Sequence, residues 1–169
     1  LRSRFLFSGR LEHYDMPSLY QIIARSAQIL QMPLQKQAAA EIARRSRGTP
    51  RIANNLLRWV RDYSQMHANA AVDVALAESA MEMLSIDQCG LDEMDKKILK
   101  IIIQHYNGGP VGLNTLGVAI GEEPHTIAEV YEPYLIMQGF LKRTLRGREV
   151  TNLAYEHLGI TFPKNGEKS

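Results

Sequence analysis

Apolar residues recur three and four positions apart through most of this chain, the spacing of one face of an α-helix. Leu19, Ile22, Ile23, Ala27 and Leu30 form the first stripe. It follows Asp15-Met16-Pro17-Ser18, a start signal with Asp or Ser as cap and Pro in the first turn. Residues 1–15 read as a short extended stretch and a turn, and Pro33 should end the first helix. A second helix is expected over residues 35–46 with Ala38, Ile42 and Ala43 inward, and Gly48 breaks the chain behind it. Thr49-Pro50 opens a third, with Thr as N-cap and Pro at the first helical position. Its buried side carries Ile52, Leu56, Trp59, Val60 and Tyr63. A fourth covers about residues 72–84, with Ala77, Ala80, Met81 and Leu84 inward. Short helices in this succession make a small bundle.

Residues 85–91 read as a linker, after which the pattern restarts. Asp92 can cap a helix bearing Met94, Ile98, Ile101 and Ile102, and Asn107-Gly108-Gly109-Pro110 must turn. Leu113, Leu116 and Ile120 mark a short helix closed by Gly121. Another begins near His125 with Ile127, Val130, Tyr131 and Tyr134, and Pro133 inside it should kink it or end it early. Phe140 to Thr144, the turn Leu145-Arg146-Gly147, and Arg148 to Thr151 read as a β-hairpin. Asn152 starts a last helix ending at Gly159, and the polar stretch after Pro163 reads as a frayed tail. Three helices followed by a hairpin is the winged-helix order, with the hairpin as the wing. The fold class expected is therefore mainly α: a four-helix domain followed by a winged helix.

Composition narrows this little. The 169 residues, 45% hydrophobic and 22% charged, fit a globular protein. No apolar run approaches the ~20 residues of a membrane-spanning helix, and no secretory pattern opens the chain. A single cysteine, Cys89, excludes a disulfide framework and a cysteine-based metal site, so a reducing cytoplasm is expected. The first residue is Leu, inside what reads as a motif, so a fragment is expected rather than a processed mature chain. The net charge of +2 is uninformative alone, but its distribution is not. Arg44, Arg45, Arg47, Arg51, Arg58 and Arg61 fall close together, and Lys142, Arg143, Arg146 and Arg148 gather on the hairpin.

No Gly-x-x-x-x-Gly-Lys-Ser/Thr loop occurs, so nothing in this sequence can cradle a triphosphate alone. No zinc-ligand spacing and no nucleophile–base arrangement is recognisable among the scattered histidines. Two segments carry chemistry. Arg51, in the first turn of a capped helix, sits where the helix dipole and its own charge both favour an anion; a solvated arginine is the plain alternative. The wing cations repel one another unless anions are near. A hairpin projecting them can follow a DNA groove and contact phosphates without reading bases, or the charge simply keeps an exposed strand edge soluble.

Several segments then resemble the RuvB family of Holliday-junction branch-migration ATPases. Ala43-Arg44-Arg45-Ser46-Arg47-Gly48-Thr49-Pro50-Arg51-Ile52-Ala53-Asn54 is similar to that family's sensor-2 segment. Leu91-Asp92-Glu93-Met94-Asp95, Gly108-Gly109-Pro110-Val111-Gly112-Leu113, Glu132-Pro133-Tyr134-Leu135-Ile136, Gln138-Gly139-Phe140-Leu141 and Arg146-Gly147-Arg148 resemble its C-terminal domain. The resemblance implies a four-helix AAA+ lid domain followed by a winged-helix DNA-binding domain. Residues 1–11 would end an ATPase core, 12–85 form the lid, 86–162 the winged helix and 163–169 a tail. It implies ATP with Mg2+ in the full-length protein, with Arg4 as an arginine finger acting on a neighbouring subunit's γ-phosphate. Arg51 would be the sensor-2 arginine, and Tyr14 would lie near the nucleotide base. Arg143 and Arg148 match DNA-contacting positions, with Arg146 between them assisting. The chain departs from the family at Pro124, where an arginine is common, and at Leu145, where Pro is usual. The first change removes one phosphate contact and the second loosens the wing turn. The implied partners are duplex DNA at four-way junctions, RuvA through a core that this sequence lacks, RuvC, and further copies in a hexameric ring. The fragment itself should not hydrolyse ATP. Two other classes share parts of this pattern. One is an origin-binding or clamp-loader AAA+ protein, which the Gly-Gly-Pro-Val-Gly segment and wing fit less well. The other is a winged-helix transcription regulator, which would bind a specific operator.

Overall fold

Helix α1 (Met16–Ile29) begins where the Asp15 carboxylate accepts a 2.8 Å hydrogen bond from the Ser18 amide, so Asp is the cap of the two candidates. It buries Leu19, Ile23 and Ala27 and ends well before Pro33. Helix α2 (Lys36–Arg44) buries Ala38, Ala39, Ile42 and Ala43. Helix α3 (Pro50–Met66) has Pro50 in its first turn and Thr49 in extended backbone at the cap position. The Thr49 hydroxyl donates back to the Arg47 carbonyl at 3.2 Å instead of capping, which corrects the expected side-chain cap. The inward face of α3 is Ala53, Leu56, Leu57, Val60 and Ser64; Ile52, Trp59 and Tyr63 flank it half-buried. The Trp59 indole N–H donates to the Ala80 carbonyl at 2.6 Å and so ties α3 to helix α4 (Val74–Glu82). α4 stops short of Leu84, which is exposed rather than inward.

The structure, a computed structural model, describes residues 13–67 and 71–163. Two compact units divide the chain, Leu1–Asp92 and Glu93–Ser169. In the first, α1 to α4 close on one core that includes Leu19, Ile23, Ile42, Leu57 and Met81. A two-way backbone exchange, Gln35 to Val72 and Val72 to Pro33, pins the α1–α2 loop against the start of the α4 segment.

The second unit opens with α5 (Glu93–Tyr106), whose buried face is Asp95, Ile98, Leu99, Ile102 and Ile103. Met94 and Ile101, read as inward from their spacing, are half-buried at its margins. Helix α6 (Leu113–Ile120) ends at Gly121 in the left-handed conformation, and Lys97 donates to its last carbonyl, Ile120, at 2.8 Å. The next helix is interrupted just ahead of Pro133, where a kink or an early end is expected. It starts as α7 (Pro124–Thr126), widens into a π-turn over Ile127–Tyr131, and restarts as α8 (Glu132–Met137). Pro133 thereby falls in a first turn, where its missing N–H costs little. Strands β1 (Leu141–Thr144) and β2 (Gly147–Val150) pair antiparallel, and α9 (Asn152–Leu158) ends at Gly159. Val111 adds a one-residue third strand: it exchanges backbone hydrogen bonds with Arg148 at 3.0 and 2.8 Å. The spacing of apolar residues could not reveal a pairing one residue long.

Candidate functional site

Two places hold the residues singled out from the sequence, one in each unit. The first is the turn between α2 and α3. Arg47 and Gly48 both take positive φ, +56 and +67, and turn the chain sharply before Thr49 extends into α3. The Gly48 carbonyl accepts the Tyr14 amide at 2.8 Å, so the residues leading into α1 are hooked onto the same turn. A Cβ at position 48 would stand 2.8 Å from the His13 Nδ1, so the close crossing as well as the positive φ asks for glycine. The structure therefore brings Tyr14 and the Arg47–Arg51 segment together although they are far apart in sequence. Arg51 lies exposed in the first turn of α3, and no residue among those described pairs with it. A cation and unsatisfied helix-start amides then face the same solvent, an arrangement suited to an anion. Arg4 lies outside the described residues.

The sequence cluster of arginines around this turn is not one free patch. Arg45 is buried and bonds Glu41 by its Nε at 2.8 Å and the Ile86 carbonyl at 3.2 Å, with Glu78 3.8 Å away. Arg44 also binds Glu41, Arg61 pairs with Asp62, and Arg47 donates to the Gly90 carbonyl at 3.2 Å. Burial pushes the Glu41 carboxyl up, but the hydrogen bonds from Arg44 and Arg45 outweigh it and leave the group below its usual range. Nearby, burial and then the Asp87 charge push the Cys89 thiol up, away from the reactive thiolate.

The second place is the wing. Its register pairs Leu141 with Val150, Lys142 with Glu149, Arg143 with Arg148 and Thr144 with Gly147, leaving Leu145 and Arg146 as the turn. Gly147 belongs to β2 and not to the turn, as the spacing had suggested. The turn is closed by the Thr144 side chain, which donates to the Gly147 carbonyl at 3.0 Å and accepts the Arg146 amide at 3.3 Å. Leu145 stands fully exposed in this turn.

The repulsion expected among the four wing cations is relieved from within. Glu132, 1% exposed on α8, binds Arg143 Nε at 2.9 Å and Arg148 Nε at 3.0 Å, with a further 3.2 Å contact to Arg148 Nη2. Arg148 is 15% exposed and Arg143 56%. The Glu132 hydrogen bond, and then its charge, raise the Arg143 pKa and hold it cationic. Lys142 pairs with Glu149 at 3.1 Å. Arg146 is exposed, and its side chain meets no partner among the described residues. Sequence reading missed Glu132 as a functional group. No spacing signal marks it, since Glu132 lies off the stripe of Ile127, Val130, Tyr131 and Tyr134.

A small helical domain with an arginine heading its third helix, followed by a winged helix with a basic wing, defines a AAA+-type lid joined to a winged-helix module. Comparison with known proteins narrows that class. The model "RuvB AAA lid domain" matches residues 14–87, and "RuvB C-terminal winged helix domain" matches residues 88–159. The Holliday junction branch migration complex subunit RuvB of Protochlamydia amoebophila is 60% identical over 158 residues, covering 94% of this chain and 48% of that protein. Its counterpart from Parabacteroides distasonis is 57% identical over 159 residues, 94% of this chain and 47% of that protein. Among solved structures, the Thermotoga maritima RuvB Holliday junction branch migration motor superposes with a TM-score of 0.88 at 48% identity, covering 90% of this chain and 51% of that one. The chain belongs to the RuvB family. It spans about half the length of the curated relatives it matches.

Proposed function

We propose that this chain is the nucleotide-sensing lid and DNA-gripping winged helix of an ATP-driven motor that moves Holliday junctions during recombination and repair. The observation that carries the reading is the tandem itself: a RuvB-type lid and a RuvB-type winged helix in one chain, in that order. The reading assigns residues 12–85 to the lid and 86–162 to the winged helix. Arg51 answers to the γ-phosphate, and Tyr14 lies near the base. Arg4, from the end of the preceding core, reaches a neighbouring subunit's nucleotide in a hexameric ring. The donors at the lid turn, a guanidinium and helix-start N–H groups, suit phosphate oxygens, and Mg2+ enters only with the triphosphate. ATP, when bound to the complete protein, supplies the energy of phosphoryl transfer; the residues here sense it and hold the lid turn in place. Without a P-loop in its sequence, this chain alone turns over no ATP. RuvA is met through the core and RuvC in the resolving assembly, so tight RuvA capture by this chain would contradict the assignment.

On the wing, the reading makes Arg143 and Arg148 the residues that meet phosphates, with Arg146 between them assisting. Such contacts are indifferent to sequence and sensitive to salt. The test is duplex binding by the 169-residue chain across a salt series, on random sequences. Uniform affinity that falls steeply with salt is expected. Strong preference for one operator sequence would favour the transcription-regulator reading and overturn this one.

A further inference from the structure

Leu145 is the most exposed large apolar side chain among the described residues, and it sits at the tip of the wing. A single exposed leucine is ordinary on a protein surface. Its setting is what separates this one. The hairpin register leaves Leu145 and Arg146 in the turn, beyond the last strand pair, Thr144 with Gly147. The Thr144 hydroxyl donates to the Gly147 carbonyl and accepts the Arg146 amide, so one side chain closes the turn. Behind it, Val111 and Arg148 exchange backbone hydrogen bonds, and Glu132 on α8 holds Arg143 and Arg148. The tip thus projects from a braced hairpin, and its own fold offers Leu145 no burial. Cations flank it on every side along the chain: Arg143 on β1, Arg146 in the turn and Arg148 on β2.

We infer that Leu145 is an apolar DNA-contacting residue: it packs against the deoxyribose wall of the groove that the wing meets, and adds a component of binding that salt does not screen. This rests on the duplex-binding reading proposed above, which carries the wing to DNA, and adds to it a contact of different chemistry. A turn that joins two strands held at phosphates is brought to the duplex with them. Between neighbouring phosphates along a nucleic-acid strand lies the sugar, whose C–H edge suits an isobutyl group. Covering it removes apolar surface from water, an effect that depends on area and not on charge. Every nucleotide offers the same sugar, so the contact is as indifferent to sequence as the phosphate contacts beside it. Insertion between bases, the other use of an apolar wedge, costs unstacking and favours flexible steps. Leucine also loses less side-chain freedom on ordering than Lys or Arg.

The experiment is a salt series of duplex affinities for the 169-residue chain and four variants, each measured well below its own thermal midpoint. Leu145→Ala should bind about fivefold more weakly at every salt concentration, so that its line of log K against log salt runs parallel to the wild type. Arg146→Ala is the electrostatic comparison: it should lose about one unit of slope, and its deficit should shrink as salt rises. Leu145→Met keeps the apolar surface and should return to within about twofold of the wild type. Leu145→Asn suits a turn at least as well as leucine and should bind as weakly as Leu145→Ala. The Leu145 variants should keep the wild-type midpoint, because the side chain is fully exposed. Unchanged binding by Leu145→Ala overturns the inference, and so does a deficit that fades with salt. Recovery by Leu145→Asn overturns it too, since turn geometry and not apolar contact would then decide. A deficit confined to duplexes rich in TA and CA steps marks base-step insertion and overturns the sugar contact. A wild-type chain without salt-dependent duplex binding overturns this inference together with the duplex-binding reading. Wild-type binding without the parallel loss in Leu145→Ala overturns this inference alone.

Discussion

A Cβ at Gly147 would lie 2.6 Å from the Val111 carbonyl carbon, in a residue with φ at +135°. Both the backbone conformation and the close approach of the one-residue third strand exclude a side chain there. Gly147→Ala should therefore cost the winged helix at least about 1–3 kcal/mol from strain alone. That corresponds to a drop of roughly 4–8 °C in thermal midpoint per kcal/mol for a unit of this size. An unchanged midpoint by calorimetry would show that the Val111–Arg148 bridge yields instead. Single residues were legible where chemistry and position coincide in sequence. Arg51 is singled out by its place behind Thr49-Pro50, and the structure leaves it exposed at the head of a helix. They were not legible where a partner comes from elsewhere. Arg45 reads as one more cation in a basic run, and only the fold reveals Glu41, Glu78 and the Ile86 carbonyl around it. Glu132 is the same case with the sign reversed.

At the scale of elements, periodicity located the helices because each must bury one face, and it erred where an end or a register is set by something other than burial. α4 stops at Glu82 and strands Leu84 outside. The buried face of α5 is rotated toward Asp95, Leu99 and Ile103. Pro133 is absorbed by a π-turn that no apolar spacing encodes. α2 offers a pH test, since Glu41 gathers Arg44 and Arg45 one turn below it. Its carboxyl titrates below the usual 4.5 in the fold. A group whose pKa falls on folding stabilises the fold above its unfolded pKa and loses that contribution as pH drops through the folded one. The midpoint of lid unfolding should thus fall more steeply on acidification below about pH 4.5 in the wild-type chain than in Glu41→Gln. Parallel slopes for the two would remove Glu41 from the acid response. Asp15, held low by its hydrogen bonds from Ser18, supplies part of the slope that remains.

Across the whole molecule, the first unit closes its own core around Ile42 and Leu57, and the second buries Ile98, Leu116 and Leu135 within itself. Ile42→Ala should cost the lid about 2–5 kcal/mol and leave duplex affinity of the winged helix within about twofold, when read below the lid's lowered midpoint. Loss of duplex binding in step with lid stability would show that the two units do not act as separate folds. Residues 85–91, read from sequence as a linker, have a property that composition could not disclose. Arg45 and Arg47 leave the turn that heads the helix of Arg51 and grip the carbonyls of Ile86 and Gly90. Two anchors hold this stretch of chain against the turn. Any shift of the turn would carry Ile86 and Gly90 with it before slack in the chain between them is taken up.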